Sequence, residues 1–312
     1  MHPHHAAIHY FCVAHLVTLS IPQYSLTLPR RYAMLTEMAL TFDEIGYWSE
    51  IKLDIVGRYA LEYSRILSGR NLYHVYIDAF AGSGRHLSRT TKAIVSGSPQ
   101  IALDIKPPFK EYYFIDIDGA KVAELSKIVL DRPEAHVLEG DCNSKLLTEV
   151  FPNVMWKDFR RGLCLLDPYG LDLDWEVVKV AGQMRSIEIF LNFPVMDMNR
   201  NVLWSNPDGV DPADITRMNT FWGDESWKEA AYRHTVDLFG ETLEIKERNA
   251  TIASAFTERL QDVAKFNHVS KPLPMRNSRG AIVYYLFFAS QQQLADDIIN
   301  YIFNKYRSRG AT

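Results

Sequence analysis

Apolar residues recur with two different periods along this chain, and the alternation between the periods predicts helices and strands. From Asp43 onward, apolar residues recur every three or four positions as far as Gly69, which predicts one amphipathic helix. The run Leu72–Ile77 is rich in aromatic and β-branched residues and stops at a glycine turn, which predicts a first strand buried on both faces. Similar short runs predict four more strands, at Tyr112–Ile115, His136–Leu138, Leu163–Leu166 and Ile187–Leu191.

Helical patterns lie between these strands. Ser98-Pro99 is a predicted helix start with Ser98 as the N-cap, Asp118 is predicted to cap the next helix, and a further helix is expected from about Asp174 to Gln183. Such alternation predicts an α/β protein in which helices cover both faces of a mostly parallel sheet. The last third predicts a helix, an antiparallel hairpin and a closing helix, at Thr251–Phe266, His268–Met275 with Ala281–Ser290, and Leu294–Tyr306.

Two segments depart from this pattern. Residues 1–40 combine histidines with short interrupted apolar runs, and we expect a disordered leader before a domain at 41–312. Residues 195–250 are rich in Asn, Asp, Trp and Met, and they predict a helical insertion with helices near Asp211–Phe221 and Glu225–Phe239. The Arg and Trp residues there could hold nucleic-acid bases, but we favour the interpretation that they form a small helical core.

Composition narrows the possible functions. The chain has 312 residues, with 34 basic and 38 acidic side chains and a net charge of -4, so no overall positive field draws it to nucleic acid. Cys12, Cys142 and Cys164 lack the spacing of a metal finger, and we expect neither a disulfide framework nor a metal site. A cytoplasmic protein without a membrane span is the expectation that fits these features.

Polar residues follow the predicted strands at the point where each strand ends. Asp78, Asp116, Asp141 and Asp167 follow the first four strands, and Asn192 follows the fifth. Ligands of open parallel sheets bind beyond the carboxyl ends of the strands. A single carboxylate at such an edge would be read as a helix cap, but a series of four indicates a ligand with hydroxyls, amines or positive charge.

The run Asp78-Ala-Phe-Ala-Gly-Ser-Gly84 is the most specific motif, because glycines let the backbone approach a ligand closely. The third glycine of a dinucleotide fingerprint would stand at position 87, which is Leu87, so a nicotinamide cofactor is disfavoured. No Gly-Lys-Ser/Thr follows, which excludes a P-loop. The alternative interpretation is an ordinary turn between a strand and a helix.

Several motifs together resemble those of a known family. The glycine run, an acid after the second strand, Gly-Asp after the third and Asp-Pro-aromatic after the fourth resemble class I S-adenosylmethionine-dependent methyltransferases. More closely, the chain resembles the three-Cys-motif partner protein (TcmP) family over residues 42–307. The segments that carry this resemblance are Tyr47–Lys52, Tyr76–Gly82, Gly97–Pro99, Phe114–Asp118, Gly140–Asn143, Leu165–Gly170 and Asn192–Arg200. The resemblance implies a Rossmann-like methyltransferase fold with a mostly parallel seven-stranded sheet and a C-terminal antiparallel hairpin.

The resemblance also implies a cofactor, S-adenosylmethionine, and a residue for each part of it. Asp78 would steer the amino group, Asp116 would accept hydrogen bonds from the ribose hydroxyls, and Asp141 would face the adenine amino group. For Asp118 we prefer the role of a helix cap to a cofactor contact. The glycine loop that would approach the methionine and ribose comprises Phe80, Ala81, Gly82 and Gly84.

Asp167-Pro168-Tyr169 resembles the Asp-Pro-Pro-Tyr motif of amino-methyltransferases, with one proline missing. In that motif the acid and a backbone carbonyl accept hydrogen bonds from an exocyclic amine, and the aromatic ring stacks on an extruded base. The equally open alternative is a turn that only closes the cofactor pocket. We read Lys52, on the first helix, as a solvated side chain rather than a site residue.

Three functions remain open from the sequence. The first is methyl transfer to an amino group, including that of a nucleic-acid base. The second is a non-catalytic binding module that works with a partner protein, since the family is named for a partner that carries three cysteines. The third is another nucleotide- or metal-dependent enzyme that uses the aspartates.

Overall fold

The computed structural model describes residues 43–236 and 242–307. The predicted leader at residues 1–40 lies outside the described residues, so its expected disorder remains a prediction.

The centre of the described chain is one mostly parallel sheet. Its strands are β2 (Tyr73–Asp78), β5 (Glu111–Asp116), β6 (Ala135–Glu139), β7 (Arg160–Leu166), β8 (Ile187–Phe193), β11 (His268–Val269), β12 (Leu273–Arg276) and β13 (Ile282–Ser290). Their order across the sheet is β11-β13-β8-β7-β2-β5-β6, and β12 pairs with β13. Strands β6, β5, β2, β7 and β8 are mutually parallel, and β13 runs antiparallel to β8.

The outer edge beyond β13 consists of two short strands in place of one. The segment His268–Val269 pairs with Ala289–Ser290, and Leu273–Arg276 pairs with the earlier part of β13. Both lie along the same side of β13, so eight strands occupy the seven positions that the sequence predicts. The α/β class and the Rossmann-like, mostly parallel sheet with its antiparallel C-terminal hairpin are confirmed.

Helices cover both faces of the sheet because alternate strand residues point to opposite sides. On β2, Val75 and Ile77 belong to one apolar core and Tyr76 to the other. The helices against the Tyr76 core are α1 (Tyr47–Gly69), α2 (Ser98–Asp104), α3 (Gly119–Ile128) and α10 (Gln293–Arg307). Those against the Val75 core are α4 (Cys142–Lys145), α5 (Trp175–Met184), α6 (Val195–Asn201), α7 (Pro212–Trp222), α8 (Trp227–Ala231) and α9 (Asn249–Asp262). None of the helices among the described residues combines the length and the apolarity needed to cross a membrane.

The predicted insertion is only partly helical. The expected helix at Glu225–Phe239 is wrong beyond Ala231, because β9 (Tyr232–Val236) forms an antiparallel hairpin with β10 (Thr242–Lys246). Pairing with a strand further along the chain supplies hydrogen bonds that no local pattern reveals. Trp222 and Trp227 are buried at 2% and 3% exposure, as the interpretation of a helical core expected, whereas Trp204 remains 42% exposed.

A small three-stranded sheet lies beside the glycine turn. It consists of β1 (Glu44–Ile45), β3 (Arg85–Ser88) and β4 (Ile94–Ser96), with β1 parallel to β3. Helix α2 then begins after Gly97, which is the N-cap, so the prediction of Ser98 as the cap is wrong by one residue. Gly97 approaches Gly84 so closely that a Cβ on it would meet the Gly84 carbonyl carbon at 2.9 Å.

Candidate functional site

A cavity of about 510 Å³ opens beyond the carboxyl ends of the parallel strands. That volume lies within the range of pockets that hold a small-molecule cofactor. The predicted site residues that line it are Phe80, Gly82, Asp116, Asp167, Pro168 and Tyr169. The topology therefore brings together residues from three strand ends that are far apart in sequence.

Asp78 lies at the end of β2 and is completely buried. Its Oδ1 accepts a hydrogen bond from the Phe80 N–H at 3.3 Å, but its Oδ2 has no hydrogen-bond partner among the described residues. Burial raises the pKa of Asp78 to about 7, and hydrogen bonds from the Ser98 side chain and the Phe80 N–H oppose this rise. The negative charge of Asp167 adds to the rise, and the positive charge of Lys52 opposes it with a smaller effect. A buried acceptor without a donor is the feature that a ligand with an N–H group would satisfy.

The Asp116 carboxylate organises the glycine turn. Its Oδ2 accepts from the Gly82 N–H at 2.8 Å, and its Oδ1 accepts from the Asp118 N–H at 2.9 Å. Each carboxylate oxygen has a second acceptor site, so the half-buried Asp116 can still accept two hydroxyls. Gly82 has a φ of +62°, and the nearest atom to a Cβ built there is 3.9 Å away, on His86. The absent side chain thus leaves open space on the cavity side of the turn.

Asp118 is the N-cap of α3, where its side chain accepts from the Ala120 and Lys121 amides, as we preferred from the sequence. Asp141 also caps a helix, α4, and accepts from the Ser144 amide at 3.0 Å. Asp141 is exposed and does not line the cavity, and Asp78, Ala81 and Gly84 also lie outside its lining. Their roles toward a cofactor remain predictions.

Lys52 is the largest departure from the sequence interpretation. We expected a solvated side chain, but the Lys52 side chain is only 7% exposed and its Nζ forms an ion pair with Asp167 Oδ2. Its ammonium also lies 5.6 Å from the centre of the Tyr284 ring. A signal was present, because Lys52 precedes Ile55 and Tyr59 by three and seven residues and so shares their buried helix face.

The other two residues of the Asp167 motif make contacts of their own. The buried Asn192 side chain donates from Nδ2 to the Pro168 carbonyl at 3.2 Å, and its Oδ1 has no partner among the described residues. The Tyr169 side chain is 78% exposed, and its hydroxyl donates to Asp43 at 3.2 Å. The aromatic ring of the motif therefore faces the mouth of the cavity.

Residues of two further segments line the cavity, although the sequence did not mark them as site residues. They are the segment before α1 and the β3–β4 hairpin at residues 85–96, where the sequence predicts a loop or hairpin. Asp43 lies at the edge of the cavity, where its carboxylate forms an ion pair with Lys121 Nζ at 2.7 Å and accepts a hydrogen bond from the Tyr169 hydroxyl. His86, on β3, faces the same space, and burial followed by the charge of Lys52 lowers its pKa. Neither residue belongs to a long periodic element, so no local pattern marked it.

The strand-end carboxylates do not converge into a metal centre. Across 43–236 and 242–307, no three His, Cys, Asp or Glu side chains are placed to hold a metal ion together. Asp116 and Asp167 instead line the cavity, Asp78 is buried and lies outside the lining, and Asp118 and Asp141 are exposed helix caps.

Comparisons with known proteins were made at three levels. No family model and no curated protein matches the chain. Among solved structures, a Legionella pneumophila protein is similar over 84% of this chain and 91% of its own, with 12% identity and a TM-score of 0.48. A candidate methyltransferase of Thermobifida fusca is similar over 84% and 88%, with 14% identity and a TM-score of 0.37. The N-terminal domain of EvdMO1, solved in the presence of S-adenosylhomocysteine (SAH) and D-fucose, is similar over 76% and 83%, with 11% identity and a TM-score of 0.39.

Proposed function

We propose that this chain is an S-adenosylmethionine-dependent methyltransferase that acts on an amino group, with a nucleic-acid base as one candidate acceptor. The observation that carries the proposal is the cavity where Gly82, Asp116 and Asp167 meet beyond the strand ends. The motif resemblance supplies the chemistry, and the fold supplies the position at which such a cofactor would bind.

Residues in the cavity and directly beside it fit this cofactor. Asp78 Oδ2, which has no donor among the described residues, would accept from the ammonium group of the methionine part. Asp116 would hold the ribose hydroxyls through its remaining acceptor sites. Gly82 leaves room for the ligand where a side chain would project. When bound, S-adenosylmethionine supplies a methyl group on a positively charged sulfur.

The remaining residues would orient the acceptor. A carboxylate at Asp167 and the carbonyl of Pro168 can each accept one N–H of an amine, which leaves the nitrogen lone pair free to face the methyl group. Orientation of this kind can contribute several kcal/mol to lowering a barrier. Tyr169, exposed at the mouth, presents a flat apolar ring on which a planar acceptor can stack.

A specific observation favours the second candidate function, a non-catalytic binding module. Both acceptors of the motif already receive hydrogen bonds from this chain, Asp167 from Lys52 and the Pro168 carbonyl from Asn192. An incoming amine would have to share these oxygens or displace one donor. The resemblance to the TcmP family extends this alternative to a module that acts together with a partner protein bearing three cysteines.

Two measurements separate these functions. Calorimetric titration with S-adenosylmethionine should give saturable one-site binding, and a chain that does not bind it would exclude the methyltransferase. Incubation with the cofactor labelled in its methyl group, in the presence of RNA, DNA or protein, should then transfer label to one acceptor class. Binding without transfer to any of them would favour the binding module.

Asp116→Ala should weaken cofactor binding by roughly ten- to a hundred-fold, because a lost hydrogen bond to a charged acceptor costs about 1.5–3 kcal/mol. Asp118→Ala is the matched control, since it removes a neighbouring carboxylate whose partners are helix amides. We expect Asp118→Ala to lower the melting temperature and to leave the dissociation constant nearly unchanged, as measured by calorimetry. The reverse pattern would assign the ribose contact to Asp118.

A further inference from the structure

Asp78 and Asp167 follow adjacent parallel strands, and this brings two carboxylates to one end of the sheet. Asp78 is aligned with Leu165, and the Ala79 N–H donates to the Leu165 carbonyl at 3.0 Å. Asp167 stands two residues further along, at the cavity wall. Asp78 is completely buried and the Asp167 side chain is 23% exposed. Two carboxylates so placed repel one another when both are ionised.

One buried cation faces both of them. Lys52 enters from α1, pairs directly with Asp167, and through its charge lowers the pKa of Asp78 against the effects of burial and of Asp167. A lysine ammonium is rarely placed at 7% exposure without such partners. Nothing in the packing of α1 requires a charged side chain here, since its neighbours on the same face are Ile55 and Tyr59.

We propose that Lys52 is a positioning residue whose ammonium is the shared countercharge that lets Asp78 be ionised beside Asp167 at this end of the sheet. The role of Lys52 in cofactor binding rests on the proposed function. The charge coupling between Lys52, Asp78 and Asp167 does not depend on that function. An ionised Asp78 is the form that attracts a ligand ammonium, so Lys52 would set the pH range in which the cavity binds its cofactor.

Other ionisable groups face this cluster from every neighbouring element. Burial disfavours the charged form of each of these groups, so none of them supplies a second strong positive charge. The groups are Tyr76 on β2, Cys164 on β7, Tyr284 on β13 and His86 on β3. Lys121 also acts on His86, but it is engaged by Asp43. Lys52 is therefore the cation whose removal should be felt at Asp78.

The experiment follows the Asp78 carboxyl carbon by NMR between pH 5 and 9, in protein labelled with carbon-13 aspartate and without cofactor. The signal is assigned by its loss in Asp78→Asn. Lys52→Gln should raise the pKa of Asp78, and Lys52→Arg should largely restore it. Asp167→Asn should lower the pKa of Asp78, because it removes the like charge and frees Lys52. Lys157→Gln, at an exposed lysine, is the matched control and should change nothing.

Opposite shifts in Lys52→Gln and Asp167→Asn are the signature of charge coupling. A merely structural role for Lys52 would give shifts of the same sign or none, and either result would overturn the proposal. Where Lys52→Gln does not fold, Lys52→Met replaces it, since its side chain keeps the buried stem packed.

Calorimetry with S-adenosylmethionine tests the consequence for binding. Between pH 8.5 and 6.5, Lys52→Gln should lose more affinity than the wild-type protein, by at most about tenfold for each unit by which the pKa of Asp78 has risen. If wild type binds no cofactor but the NMR shifts appear, the proposed function fails and the assignment of Lys52 stands. If wild type binds cofactor and the NMR shifts are absent, the assignment of Lys52 fails and the proposed function stands.

Discussion

Asp167→Ala should reduce methyl transfer by about a hundred-fold or more while the change in cofactor affinity stays within a few-fold. Transfer from a sulfonium needs no strong acid or base, but it needs the acceptor nitrogen in line with the methyl group. Losing one preorganised hydrogen-bonding group of this kind typically costs two to three powers of ten in rate. Single-turnover transfer of labelled methyl and calorimetric titration, on the same protein, measure the two quantities.

The ion pair with Lys52 decides which controls this experiment needs. Alanine at position 167 leaves a buried ammonium without its partner, which destabilises the protein apart from any effect on transfer. The double variant Lys52→Met with Asp167→Ala removes both charges, so their opposite effects on Asp78 should largely cancel and its cofactor affinity should lie close to that of the wild type. Transfer by the double variant should stay low.

Asp167→Asn keeps an acceptor oxygen and should retain part of the activity. If Asp167→Ala abolishes cofactor binding even in the double variant, then Asp167 belongs to the cofactor pocket and the resemblance to amino-methyltransferases ends at the fold.

The fold was predictable because each parallel strand carries its own signal. A strand buried on both faces must be apolar throughout, so runs such as Leu163–Leu166 stand out from their surroundings. Its end is marked by the first polar residue, and the ends of parallel strands share one edge. The positions of Asp78, Asp116 and Asp167 near one another follow from this geometry without knowledge of any side-chain contact.

What the sequence did not reveal depends on contacts between distant segments. The burial of Lys52 could be suspected from its helix face, but its partner lies 115 positions away, and only the packing of α1 against the sheet brings them together. The hairpin β9–β10 and the parallel pairing of β1 with β3 are likewise set by tertiary contacts, which override local propensity in short strands. Asp141 shows the converse, since the same local pattern of strand and acid gave an exposed cap.

Glu188→Gln should stabilise the protein by about 3 kcal/mol at pH 8 and hardly at all at pH 4. Glu188, on β8, is completely buried between the Tyr59 hydroxyl and the Ser290 hydroxyl, and burial raises its pKa to about 7 although both hydrogen bonds oppose this. A raised pKa means that the folded protein keeps this proton while the unfolded chain loses it near pH 4.5. The stability present below that pH is therefore lost as the pH rises through about 7, and each pKa unit is worth about 1.4 kcal/mol.

Denaturant unfolding of the wild type and the variant across pH 4–9 measures the difference. The difference in unfolding free energy between the two proteins is the quantity to compare, because other groups also titrate in this range. Burial lowers the pKa of His74 and of His86, and these groups make both proteins more stable as the pH rises. Glu258→Gln, at an exposed position, should give a flat difference. A flat difference for Glu188→Gln would mean that Glu188 titrates near its ordinary pKa in the folded protein.

Asp78→Asn shares this pH signature but should differ in function. Burial raises the pKa of Asp78 to about 7 as well, so the amide should also stabilise the protein above that pH, by roughly 4 kcal/mol. Unlike Glu188, however, Asp78 keeps an oxygen without a donor beside the cavity, and the amide cannot offer a charge to a ligand ammonium. Asp78→Asn should therefore gain stability and lose cofactor affinity together, whereas Glu188→Gln gains stability alone. If Asp78→Asn and Glu188→Gln bound the cofactor with equal affinity, Asp78 would not be a cofactor-binding residue.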